Sequence, residues 1–69
     1  MDLNRLLSDD PDVLPLIKGW LAMQGVTTYK ELAEMTENEL LALPYSGRGK
    51  VEQIRQALDA LEIKHMLNN

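Results

Sequence analysis

The chain has 69 residues, no cysteine, 45% hydrophobic residues and a net charge of −4. That length allows one modest core near the lower limit of unstapled folding, and the missing cysteines exclude disulfides and thiolate metal sites. The acidic balance argues against a protein that simply coats nucleic acid. With no basic-then-apolar leader and no apolar run of spanning length, a cytoplasmic chain with no membrane contact is expected.

In chain order, residues 1–11 read as a flexible or loosely packed lead-in to a core over 12–63, the whole 1–69 being a single helical domain. Leu3, Leu6 and Leu7 suffice for one helical turn, and Ser8-Asp-Asp-Pro-Asp12 is a turn signal. Asp12 can cap a helix from about Val13 to Gln24, with Pro15 tolerated in the first turn and Gly25 as the stop. Its apolar set is Val13, Leu14, Ile17, Trp20, Leu21 and Met23, and Gly19 suggests close contact with another element. Trp20 on that inner face reads first as core and second as a partner contact.

Thr28 with Glu31, and Thr36 with Glu39, both match the capping-box pattern, which predicts two short helices meeting at an angle. The first runs from Tyr29 to Met35 with Tyr29, Leu32 and Ala33 inward. The second holds Leu40, Leu41 and Leu43. A longer helix from Val51 to Leu61 places Val51, Ile54, Leu58 and Leu61 on one face. The tail to Asn69 either extends that helix or folds back, with Ile63, Met66 and Leu67 as packing residues. No strand pattern occurs, so the fold class is all-α: a compact bundle of four to five short helices with a helix–hairpin–helix core.

The connection Leu43-Pro-Tyr-Ser-Gly-Arg-Gly-Lys-Val51 combines turn residues with positive charge. Pro44 is poorly suited to continuing a helix, and Gly47 and Gly49 allow a tight turn or close backbone approach. Ser46 is the expected cap of the last helix, leaving the N–H groups of Gly47, Arg48 and Gly49 at its positive end, with Arg48 and Lys50 beside them. That combination suits an anion such as a DNA phosphate. Charge follows the same division: residues 1–44 carry eight acids against three bases (−5), and residues 45–69 three acids against four bases (+1). Tyr45 in the turn either stacks on a base or a partner or lies against the last helix, and Tyr45, Trp20 and Arg55 are the candidate partner contacts.

Catalytic and metal chemistry is not expected. One histidine cannot build a His/Cys site, and His65 near the C-terminus reads as a surface residue. Asp9, Asp10 and Asp12 lack the glycine and distal glutamate of a calcium loop and fit turn and capping roles. A chain this small offers little wall for a substrate pocket, so no enzyme, cofactor or small-molecule substrate is expected.

From Tyr29 to Ile54, and more loosely over 13–63, the sequence resembles the C-terminal domain of the bacterial RNA polymerase alpha subunit. Leu32, Thr36-Glu37, Glu39-Leu40-Leu41, Pro44, Gly47 and Ile54 fall in register with that family's pattern without gaps. The resemblance implies a SAM-like five-helix fold that contacts DNA and docks transcription factors or polymerase. Gly47 and Arg48 keep the family's glycine and a basic residue. Gly49 stands for a usual lysine and Lys50 for a serine, which shifts the charge by one. On the first helix the family's minor-groove arginine is Leu16 and its asparagine is Gly19, so what carries over is phosphate holding, which positions a protein without reading sequence. Gly19-Trp20-Leu21, Gly25, Tyr29 and Met35-Thr-Glu-Asn-Glu-Leu-Leu41 are also similar to SAM domains, with a deletion between Tyr29 and Met35. That second resemblance implies a protein-interaction domain with no direct DNA binding.

Overall fold

Four α-helices follow a single 3₁₀ turn in the computed structural model, which describes residues 2–67. The 3₁₀ turn is Leu7–Asp9, and the helices are α1 (Lys18–Met23), α2 (Tyr29–Ala33), α3 (Glu37–Ala42) and α4 (Arg48–Ala60). Among the described residues there is no strand, only two isolated bridges, Leu6 with Thr28 and Thr36 with Met66. The architecture is all-α, with a radius of gyration of 10.7 Å. Asn68 and Asn69 of the tail, and Met1, lie outside the described residues.

Both capping boxes form. Thr28 accepts from the Glu31 N–H at 3.2 Å while the Glu31 carboxylate accepts from the Thr28 N–H at 3.2 Å. Thr36 and Glu39 repeat the exchange at 3.1 and 2.9 Å. Helices of five and six residues are too short to persist alone, so these caps and the packing of one apolar face hold them. The predicted inner face of α2, Tyr29, Leu32 and Ala33, is buried throughout, as are Leu40 of α3 and Val51, Ile54 and Leu58 of α4. Leu41, Leu43 and Leu61 pack at the margin of that core.

The first helix is much shorter than the Val13–Gln24 span expected, and Asp12 does not cap it. Leu14 precedes Pro15, whose ring disfavours the α conformation in its neighbour, and Leu14 takes φ of 50°. The chain turns through residues 11–17, and α1 opens only at Lys18 after Ile17, with no side-chain cap. Leu14, Ile17 and Leu21 still reach the core. A β-carbon on Gly19 would meet nothing within 4 Å, so the close contact expected there is absent. Gly25 does stop the helix: at φ 82° it donates to the Ala22 carbonyl while Val26 donates to Leu21, closing a Schellman motif. Glu62 closes α4 the same way at φ 59°, with Glu62 donating to Asp59 and Ile63 to Leu58.

The segments 2–10 and 62–67 both pack onto this frame. Leu7 is buried and donates its N–H to the Thr27 carbonyl at 2.8 Å, and Lys30 donates to Leu3 at 2.7 Å. Arg5 grips Asp10 with two 2.9 Å bonds, Tyr29 donates its hydroxyl to the same carboxylate at 2.6 Å, and Lys18 donates to the Asp10 carbonyl at 2.5 Å. After Glu62 the tail folds back, with Ile63 and Leu67 inward and Lys64 and Met66 outward. His65 lies between them, nearly buried: its Nε2 meets Asp59 Oδ1 at 2.6 Å and its Nδ1 accepts the Leu67 N–H at 3.0 Å. The surface position expected of His65 and the packing role expected of Met66 are therefore exchanged.

Candidate functional site

The turn between α3 and α4 begins where Leu43 leaves the helix in extended conformation. Ser46 donates its N–H to the Leu43 carbonyl at 3.2 Å, closing a β-turn with Pro44 and Tyr45 in the middle. Tyr45 takes φ of 61°. The left-handed residue of the turn is thus an aromatic one, where Gly47 was the sequence candidate. Gly47 is extended at φ −171° and serves as the N-cap of α4.

That register corrects the expected role of Ser46. Helical bonding in α4 starts with Val51 donating to the Gly47 carbonyl at 3.2 Å, which puts Ser46 one residue before the cap. No side chain caps α4. The Ser46 hydroxyl oxygen is buried and makes no hydrogen bond among the described residues. The N–H groups of Arg48, Gly49 and Lys50 therefore open the helix without intrahelical acceptors. No acid occupies this first turn, whereas Glu31 sits in that of α2 and Glu37 and Glu39 in that of α3. A β-carbon on Gly47 or Gly49 would meet nothing within 4 Å, so neither glycine is required by packing. The result is a helix start with no capping side chain and glycine at positions 47 and 49, where helical dipole and free amides favour an anion.

The charges beside it divide. Arg48 is exposed and makes no ion pair or hydrogen bond among the described residues. Lys50 turns inward: its Nζ donates to the Tyr45 carbonyl and stands 4.7 Å from the centroid of the Trp20 ring. Trp20 also donates Nε1–H to the Pro44 carbonyl at 2.7 Å. Half-buried, with its N–H and one face engaged, Trp20 clamps the turn to α1. Nothing in the sequence pairs position 20 with 44 and 50, and the clamp could not be read there. Arg55 is engaged along its own helix, bonded to Glu52 and, at 3.1 Å, to Asp59. Those carboxylates hold its guanidinium above its ordinary range, with the Glu52 hydrogen bond the largest cause. Tyr45 is 86% exposed. Of the predicted site, Tyr45, Arg48 and Gly49 are exposed, while Trp20, Ser46, Gly47 and Lys50 are half-buried.

Compared with protein-family models, curated proteins and solved structures, the chain matches none. No helix among the described residues is long and apolar enough to cross a membrane.

Proposed function

We propose that this chain is a small non-enzymatic helix–hairpin–helix module that holds a DNA backbone phosphate at the start of α4. The single observation that carries the reading is the uncapped first turn of α4, with glycine at positions 47 and 49 and flanked by exposed Arg48 and Tyr45. The clamp from Trp20 and Lys50 supports it, because a turn fixed in advance loses little freedom when a ligand arrives. The resemblance to the polymerase alpha C-terminal domain adds a cytoplasmic setting in transcription, beside polymerase or a transcription factor. With a net charge of −4 the contact is weak and positional, engaging about two to four phosphates.

A second reading is favoured by one observation. Leu16, at the position where the resemblance places a minor-groove arginine, is 88% exposed, and Met23 is 82% exposed on the same segment. Apolar side chains left in water there suit a protein partner better than a nucleic acid. A backbone amide NMR titration with short duplex DNA separates the two. The expected result is shifts concentrated at Gly47, Arg48, Gly49 and Lys50 that fade as salt rises. Amides that stay still at low salt in a folded chain would remove the phosphate reading and leave the protein-docking one.

A further inference from the structure

Seven cationic side chains serve an acidic chain, and four of them are used internally. Arg5 pairs with Asp10, Arg55 with Glu52 and Asp59, Lys18 bonds the Leu7 and Asp10 carbonyls, and Lys50 bonds the Tyr45 carbonyl. Among the described residues that leaves Arg48 at the turn, and Lys30 and Lys64, without a partner. The last two are 34 positions apart in sequence, yet both line one shallow groove of about 310 Å³.

The groove is built from three segments. Lys30 on α2 and Glu34 just after it stand at helical spacing and form one wall, with the nearly buried Ala33 at its base. The extended tail forms the other, because burying Ile63 and Leu67 turns Lys64 and Met66 outward. Leu3 closes the groove, tied to α2 by the Lys30 N–H. Exposed Leu3 and Met66, with Ala33 beneath them, make the surface mainly apolar, and each long wall carries one lysine. Glu34 is the single carboxylate on the lining, and His65 is already engaged with Asp59 and Leu67.

We infer that this groove docks a short acidic–apolar peptide segment of another protein, its apolar side chain against Leu3 and Met66 and its carboxylate between Lys30 and Lys64. Charge complementarity selects the occupant. A basic segment would meet two like charges, and a wholly apolar one would leave both lysines beside a greasy partner with nothing to pair. The site shares no residue with the α3–α4 turn, so the inference stands whether or not that turn holds DNA.

The test uses the full chain, with its Leu, Ala and Met methyl groups followed by NMR. The probes are a short synthetic peptide with a central Leu-Leu pair flanked by aspartates, and its counterpart with lysines in their place. The expected result is movement of the Leu3, Ala33 and Met66 methyls with the aspartate peptide alone, weakened by salt. In the Lys30→Glu/Lys64→Glu variant, both positions being exposed, affinity should fall about tenfold, in line with two modest surface ion pairs lost and reversed. Equal response to both peptides, movement only at Leu16 or Met23, or no response up to millimolar peptide would overturn the inference. So would movement of the same methyls on concentrating the chain alone, which would make a second copy the occupant. The peptide comparison decides the matter even if the double variant does not fold.

Discussion

Tyr45 occupies a turn position that glycine fills at no steric cost, and Gly49 occupies a helical position that alanine fills better. Both residues work against local stability. Tyr45 is also solvent-exposed, so its ring repays nothing to the core, and Gly49 faces open space. Residues that cost stability without an internal return motivate the contact proposed for this surface. Tyr45→Gly and Gly49→Ala should each raise stability by up to about 1 kcal/mol in urea denaturation. Each should also weaken the salt-sensitive DNA shifts, the first by removing a ring and the second by adding a methyl in the phosphate's path. Stabilisation with unchanged DNA response would make both positions mere accidents of sequence. The turn between α3 and α4, and Arg48 as a cation on it, were legible from turn chemistry and charge alone. Lys50 was not, because its partner Trp20 comes from another helix, and a side chain's direction is a tertiary fact.

At the scale of elements, α2 and α3 owe their boundaries to their caps. Thr28→Ala and Thr36→Ala should each cost about 1 kcal/mol, since each removes the hydroxyl that accepts the otherwise unpaired N–H of Glu31 or Glu39. Thermal unfolding of the two variants and the double variant measures this, and losses below a few tenths would mean that packing alone fixes both helices. These caps are also why the middle of the fold could be read from sequence: the signal is local, spanning four residues. The start of α1 was misread for a matching reason. Asp12 with Pro15 imitates a capped start, but Pro15 disfavours the α conformation at Leu14, the chain turns left-handed there at φ 50°, and the helix opens only at Lys18. The groove of Lys30 and Lys64 was out of reach entirely, because three segments distant in sequence make it.

Across the whole molecule, one of the hydrogen bonds that join the lead-in to the core, Tyr29 to Asp10, is sensitive to pH at both extremes. Asp10, bonded by Arg5 and then by Tyr29, has its carboxyl lowered from 3.8 to about 2. Tyr29, wholly inside the core, has its phenol raised from 10.0 to about 12, by burial first and by its bond to Asp10 second. Asp10 gives its proton up more readily when folded, so the unfolded chain binds more protons as pH falls from about 4 to 2, and stability is lost there. Tyr29 holds its proton more tightly when folded, so stability is lost as pH rises from about 10 to 12. Glu31 and Glu52, also held below their usual range, by the Thr27 N–H and by Arg55 respectively, steepen the acid side. Urea denaturation across this range should trace a plateau with two falling limbs, and the variants assign them. Asp10→Asn should lose its share of the acid limb yet keep most of the alkaline one, because burial of Tyr29 persists. Tyr29→Phe should abolish the alkaline limb and shorten the acid limb, because Asp10 keeps only Arg5. Limbs unchanged in both variants would mean that residues 2–10 are not coupled to the core through this contact. That outcome would also undercut the groove, whose closing residue, Leu3, sits on the same segment.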